Sequence, residues 1–375
     1  MKNHTRKKTI LILGAGFAGC TTAYLLRQKG FKVTVLEKEK FPGGGCRTYW
    51  HGGHPYTLGP RIFFTQDKEI VKLMTGFIKI RQFYNKTWTY VANDKKFYHY
   101  PIYRGDLSKM PDFQEIHAQL KERRSKKPRT DNFEVYWLDV IGPNLYQKFI
   151  NSYSKKMWGV ESNKELSADF KWVNKGIPIR EKDIRLYGDM FQGYPSAADG
   201  YNLIFNKMLK GCRFIPGCEI EYLNPKTEKI KTNKGEFGAN IIVNTISADR
   251  LFKNKFGPLK YGGRKMLKVV LPIKQIIPGD VTWLHYSSGE EPFTRVTEFK
   301  KITNHKSKDT LLGIELPCQG GQHYPVQTEK EKRRFSQYQN LFPENFYSIG
   351  RLGGFSYKGI SEVMRNALDI SKTIE

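Results

Sequence analysis

The stretch that most constrains this chain is residues 9–39, TILILGAGFAGCTTAYLLRQKGFKVTVLEKE. An apolar run at 10–13 is short enough for a buried strand. Gly14-Ala15-Gly16-Phe17-Ala18-Gly19 follows, then a helical pattern that Gly30 ends, then a second apolar stretch at 32–36 with Glu37 at its tip. Strand, GxGxxG turn, helix, strand and acid together form a dinucleotide-binding fingerprint. Gly14 suits the tight turn, Gly16 lets backbone approach a pyrophosphate, and Gly19 lets helix and strand pack closely. The helix N-terminus offers free N–H groups and the positive end of a dipole to the phosphates. Glu37 stands where a carboxylate accepts the ribose hydroxyls of an adenosine. Lys7-Lys8, the apolar run and Ala18-Gly19-Cys20 imitate a lipoprotein signal. Three glycines interrupt its would-be apolar core and the pattern runs on into strand and acid, so a cytoplasmic protein is expected.

The 375 residues leave room for two or three packed subdomains, and no apolar run approaches the ~20 residues of a membrane span. Five scattered cysteines without a CxxC pair fit a reducing compartment, and eight dispersed histidines give no metal spacing, so no metal is expected. With 63 Lys and Arg against 36 Asp and Glu, the net charge is +27, which speeds encounter with any anion. The excess is spread over polar faces and is densest at 121–129, so nucleic-acid binding is not expected; a phosphorylated small substrate explains local basic residues equally well.

A second glycine loop, Phe41-Pro-Gly-Gly-Gly-Cys-Arg47, suits a flavin cofactor's phosphates better than a nicotinamide's. Periodicity predicts helices over 69–81, 111–124, 133–141 and 145–157, the last two parted by Gly142-Pro143, and an irregular stretch over 171–200. A helix over 201–209 precedes strands at 213–215, 219–223, 229–232 and 241–244, then at 269–272, 282–286, 294–297 and 311–315. A helix at 330–341, a strand at 346–349 and a helix at 360–373 close the chain. The expected class is α/β: a Rossmann-type FAD-binding domain with an inserted helical subdomain and an antiparallel-sheet subdomain. Its expected parts are 1–104, first part of the FAD-binding domain; 105–170, helical insertion; 171–212, substrate loop and helix; 213–330, antiparallel sheet and return; and 331–375, C-terminal part of the FAD-binding domain.

Seven motifs then occur in order: GAGFAG at 14–19, GPRIFFT at 59–65, YSKKMWG at 153–159, IPIR at 177–180, FTRVTEFK at 293–300, YPV at 324–326 and GRLGGFSY at 350–357. With them the chain resembles the UDP-galactopyranose mutase family over nearly its whole length. The resemblance implies an FAD enzyme, active with reduced flavin, that interconverts pyranose and furanose forms of a UDP-linked or related nucleotide sugar. In such enzymes flavin N5 attacks the anomeric carbon and displaces UDP, and the ring reopens and recloses at another hydroxyl. Galactofuranose for polysaccharide biosynthesis is the implied product, and relatives of this size are often homodimers.

The same resemblance implies roles for individual residues. Arg180 and Arg295 match diphosphate clamps, an assignment that suits arginine's fixed charge and planar fork. Tyr324 and Tyr357 match tyrosines that bond the same phosphates. Phe149, Tyr153, Ser154 and Trp158 match the wall for nucleobase and sugar, with Asn85 and Phe191 as further substrate contacts. Gly14, Gly16, Phe17, Ala18, Gly19, Glu37, Lys38, Gly45, Cys46, Arg61, Ile62, Arg351, Gly359, Ile360 and Ser361 match cofactor positions. A loop near 171–190, with Trp172 and Arg180, matches the segment that closes over substrate. Several positions depart from the family: Cys46 where the glycine loop has asparagine, Arg61 and Phe64 where two histidines are usual, and Gly359 where an aspartate follows the tyrosine. Phe355 and Phe299 replace a tyrosine and a histidine. The diphosphate end is kept and the surroundings of sugar and flavin are altered, which points to a changed sugar or nucleotide. A flavin oxidoreductase acting on a nucleotide sugar, or a silent nucleotide-sugar binder, are the alternatives.

Overall fold

A computed structural model describes residues 8–123, 127–167, 179–224 and 226–375. The fingerprint folds as read. Thr9–Leu13 is a buried strand, Phe17–Gln28 a helix and Lys32–Leu36 the next strand. They belong to a five-stranded sheet in the spatial order Arg213–Ile215, Lys32–Leu36, Thr9–Leu13, Ile241–Asn244, Phe346–Ser348. Every pairing in it is parallel, and all four residues of Ile241–Asn244 are buried, as a strand covered on both faces requires. Helices Asn202–Leu209 and Ile360–Thr373 pack on Phe17–Gln28. The dinucleotide fold is thus assembled from four separate stretches of sequence. A small antiparallel meander, Ile220–Asn224, Lys229–Thr232 and Gly235–Phe237, lies in the chain between two of its strands.

A seven-stranded sheet runs in the order Tyr324–Pro325, Tyr261–Leu271, Thr310–Cys318, Arg295–Glu298, Val281–Tyr286, Lys86–Val91, Lys96–Tyr100. All its pairings are antiparallel except Val281–Tyr286 with Lys86–Val91. Its register sets His285 opposite Arg295, and Arg295 opposite Glu315. Alternation along each strand therefore sends these three side chains to one face. Helices Phe113–Arg123, Phe133–Tyr146 and Ser152–Trp158 build the helical part, with its own core around Trp137, Ile141 and Leu145. The break expected at Gly142-Pro143 is present: Gly142 has φ 80° and ψ 164° within the segment.

Three predicted elements differ. The helix expected over 69–81 is Lys68–Phe77, and Ile80–Gln82 is a strand instead. The stretch expected to be irregular contains strand Phe191–Pro195, which pairs with Ile80–Gln82 and Phe63–Thr65. Gly193 there reads as a breaker, but a Cβ on it would lie 2.4 Å from the Arg81 carbonyl oxygen; the glycine permits close strand contact. The strand expected at 269–272 is the end of Tyr261–Leu271. Gly262-Gly263 and the exposed Lys265 and Lys268 hide its start, and a Cβ on Gly263 would meet Gly321 Cα at 2.7 Å.

Candidate functional site

The glycines build a backbone cradle. Gly14 sits at φ 96°, where a Cβ would strike Thr245 Oγ1 at 2.6 Å, and a Cβ on Gly19 would lie 1.9 Å from the Gly14 carbonyl oxygen. A Cβ on Gly16 meets nothing within 4 Å, so at that position the backbone faces open space. Gly16 is also the N-cap of helix Phe17–Gln28, and no side chain caps that end. The second glycine loop docks onto the first: Gly43 N–H donates to the Ala15 carbonyl at 2.8 Å, and Arg61 Nε donates to the Gly45 carbonyl at 2.9 Å. Gly350, at φ 79°, comes close enough to Ala18 that a Cβ would sit 2.8 Å from the alanine's. An uncapped helix start, bare backbone beside Gly16 and an acid at the next strand's end fit an adenine dinucleotide such as FAD.

Glu37 is buried and accepts from Ala15 N at 2.7 Å and Glu39 N at 3.0 Å, one bond to each oxygen, which fixes its carboxylate. Lys38 is exposed and lies 3.5 Å from Glu39. Phe17 turns its ring into the core, edge-on to Tyr201 and Phe205, so only its backbone is available to a cofactor. Ile62 and Ile360 are core residues as well. Ser361 Oγ donates to the Phe64 carbonyl at 2.9 Å, and Gly359 N to Glu362 Oε2 at 2.7 Å. Cys46 lies close enough to Arg61 and Arg351 to feel both charges, although burial outweighs them and raises its thiol pKa.

Beyond the cradle lies a buried cluster of arginines and tyrosines. Arg295 grips the fully buried Glu315 with two bonds, Nε to Oε1 at 2.6 Å and Nη2 to Oε2 at 2.7 Å, and Arg264 binds the same carboxylate. Burial alone would raise the Glu315 pKa; Arg295 and Arg264 overcome that and hold it at about 2. Tyr324 and Tyr357 stack at 5.5 Å and 21°, with Trp158 edge-on to both at 6.0 and 5.9 Å. Arg264 and Arg351 lie 4.7 and 5.1 Å from the Tyr324 ring centre. Burial pushes the Tyr324 phenol up, but Arg264, Arg61 and Arg351 bring it down to about 7. Tyr357 moves the other way, raised by burial and by Tyr324. Arg264 and Arg295 thus share the Glu315 carboxylate while Arg61 and Arg351 add their charge around Tyr324, a surplus of positive charge suited to an anion such as a diphosphate.

The remaining predicted residues divide. Tyr153 is buried within the field of Arg295 and Arg264, and Ser154 is buried with its Oγ unpartnered among the described residues. Phe149 belongs to the core of the helical part. Asn85 is fully buried; its carbonyl accepts from Thr282 while its Nδ2 has no partner among the described residues. Phe191 packs edge-on against Phe63. Arg180 pairs with Tyr103 in a two-residue bridge and leaves Nε buried without a partner among the described residues. Trp172 and the first half of IPIR lie outside the described residues. Four residues that motif reading missed join the cluster. Arg264 is masked by the neighbouring lysines. His285 accepts from Trp283 Nε1 at 2.8 Å and is held neutral, its pKa brought to about 3 by burial and Arg295. Tyr187 stacks on Phe64 at 3.8 Å and 10° and lies within the field of Tyr357 and Arg295. Glu315 was missed as well, although it stands as the lone acid in the apolar run LLGIEL.

Comparison with known proteins agrees with this geometry. The family description "UDP-galactopyranose mutase" matches residues 148–357, more than half the chain, and "NAD(P)-binding Rossmann-like domain" matches 12–77. A dTDP-fucopyranose mutase of Escherichia coli is 27% identical over 97% of both chains. A probable UDP-galactopyranose mutase of Klebsiella pneumoniae is 23% identical over 96% of this chain and 93% of its own. The crystal structure of a reduced UDP-galactopyranose mutase superposes with a TM-score of 0.85 at 16% identity, covering 98% of this chain and 95% of the other. Among the described residues no helix is long and apolar enough to cross a membrane, and no three His, Cys, Asp or Glu side chains form a metal-binding group. With a matched family spanning most of the arginine–tyrosine cluster and a dinucleotide cradle in front of it, the chain belongs to the UDP-galactopyranose mutase family of flavoprotein isomerases.

Proposed function

We propose that the protein interconverts the pyranose and furanose forms of a nucleoside-diphosphate sugar, using FAD held in the glycine cradle. The observation that carries this reading is the positive cluster next to that cradle: Arg61, Arg264 and Arg351 around Tyr324, with Arg264 and Arg295 sharing Glu315. Reduced FAD, when bound, supplies the nucleophile for the anomeric carbon. The chain's task is then to hold the diphosphate and stabilise the charge it gains as the bond to the sugar breaks. Glu315 fixes one edge of Arg295 with two short bonds, so the guanidinium is set before the ligand arrives. Tyr357, with its raised pKa, keeps its phenol proton and donates it to a phosphate oxygen. Charge brought by the diphosphate favours the protonated form of Tyr324 as well, which makes it a second donor. Trp158 and Tyr153 supply the aromatic wall for the base.

For the sugar, Phe64 and Tyr187 are the informative pair. Their stacked rings connect the cofactor side, through Ser361 and Gly359, to the Tyr357 and Arg295 side. The stacked ring faces there accommodate a methyl group and leave a sugar hydroxymethyl group no partner other than the Tyr187 phenol. The dTDP-fucopyranose mutase, 27% identical, acts by name on a 6-deoxy sugar. We therefore read a 6-deoxyhexose as preferred over galactose. An unpartnered hydroxyl costs about 1–3 kcal/mol, roughly 5- to 150-fold in kcat/KM. Turnover of dTDP-fucose, dTDP-galactose and UDP-galactose by the reduced enzyme separates the sugar from the base. A preference of tenfold or more for dTDP-fucose over dTDP-galactose is expected; equal or reversed rates would overturn the sugar assignment.

A further inference from the structure

Lys156 sits on helix Ser152–Trp158, between Tyr153 and Trp158. Its ammonium lies within hydrogen-bond distance of four backbone carbonyls: Tyr286 at 3.2 Å, and Ser288, Glu291 and Phe293 at 2.8 Å each. Tyr286 ends strand Val281–Tyr286, which carries Trp283 and His285, and the other three lie in the turn that links it to strand Arg295–Glu298. An ammonium has three N–H donors and no acceptor. Four converging carbonyls therefore treat it as a small enclosed cation, much as such oxygens ligate a free ion. Burial draws its pKa down to about 8 with Glu291 acting against that, so the charged form persists at neutral pH. Ser287 Oγ adds a second link from the same turn to the helical part, donating to the Lys148 carbonyl at 2.6 Å.

We propose that Lys156 is a positioning residue that locks the aromatic helix wall to the strand bearing Arg295. It thereby fixes the separation at which base and diphosphate are gripped together. Tyr153, Ser154 and Trp158 ride on its helix, and Arg295 follows the caged turn by two residues. The inference rests on the reading of the cluster as a nucleoside-diphosphate site, but its consequence is a coupling between two halves of that site. Replacing the ammonium leaves four carbonyls without their shared donor, the turn relaxes, and a ligand that spans both halves loses its match. A ligand that uses only the arginines does not. Lys300 provides an internal comparison: its ammonium ties the carbonyls of Lys274, Ser307 and Asp309 by the same device, away from the helix wall.

The test uses the FAD-loaded protein and calorimetric binding of dTDP, UDP and inorganic pyrophosphate. Lys156→Met should weaken dTDP and UDP at least tenfold while pyrophosphate changes less than threefold. Lys300→Met should leave all three within threefold. Lys156→Ala should behave like Lys156→Met and regain nucleotide affinity on addition of propylammonium, which returns a cation to the cage. Nucleotide binding unchanged by Lys156→Met, or an equal loss for nucleotide and pyrophosphate, would overturn the proposal. If Lys156→Met fails to fold, the alanine variant decides: absence of rescue by propylammonium counts against it. Failure of wild-type protein to bind either nucleotide would instead sink the reading of the site itself.

Discussion

Glu315→Gln removes the charge that holds Arg264 and Arg295 while keeping shape and volume. In the native protein the carboxylate is fully buried, bonded twice by Arg295 and also by Arg264, and its pKa lies at about 2 rather than 4.5. At 1.36 kcal/mol per pH unit, that depression contributes about 3 kcal/mol at neutral pH. The range for breaking a buried ion pair, about 3–5 kcal/mol, agrees. The native pKa is below the unfolded one, so the contribution is complete above about pH 4.5 and is lost as pH falls towards about 2. Urea unfolding of both proteins from pH 7 to pH 3, followed by tryptophan fluorescence, measures this. The variant should be about 3 kcal/mol less stable at pH 7, and the gap should narrow only below about pH 4.5. A gap under 1 kcal/mol at pH 7, or one that ignores pH across the acid range, would refute the view that Glu315 is the counter-charge of the cluster.

Other expectations follow from the same geometry. Arg295→Ala should lower kcat at least a hundredfold while FAD stays bound, as seen in the flavin absorption spectrum, because Arg295 stands in the diphosphate cluster and outside the glycine cradle. Gly16→Val should fold normally by circular dichroism, since a Cβ there meets nothing within 4 Å, yet lose at least tenfold in FAD affinity by flavin fluorescence. Gly19→Val, whose Cβ would overlap the Gly14 carbonyl at 1.9 Å, should instead fail to give folded protein. Phe64→His should bring a polar group to the aromatic wall and shift the kcat/KM ratio of dTDP-fucose to dTDP-galactose towards galactose by roughly tenfold.

The cofactor end was legible in the sequence because its requirements are local. A left-handed turn at Gly14, a clash-free Gly19 and an acid at a strand tip are dictated within one supersecondary unit. The ligand cluster depends on register between strands distant in sequence. Nothing near Arg264 in the chain says that it will meet a carboxylate 51 residues away, and the pairing of Arg295 with Glu315 is fixed only when Arg295–Glu298 aligns with Thr310–Cys318. Tyr187 was hidden for a similar reason: it lies in a glycine- and proline-punctuated stretch whose order comes from tertiary contacts such as its stacking on Phe64. Strand Phe191–Pro195 was hidden by Gly193, a residue chosen for close backbone approach and not for a turn. Lys156 had no signal beyond its place in YSKKMWG, because its partners are backbone carbonyls that no side-chain pattern announces.

The most direct test of the central claim is turnover itself. FAD-loaded protein is incubated with dTDP-fucofuranose or UDP-galactofuranose, once oxidised and once reduced with dithionite, and the sugar nucleotides are separated by chromatography. A ring-size mutase should form the pyranose isomer from at least one of them in the reduced state only, with no net change in flavin oxidation state. No conversion of either despite bound FAD and bound nucleotide, or stoichiometric reduction of the oxidised flavin by the sugar, would contradict it.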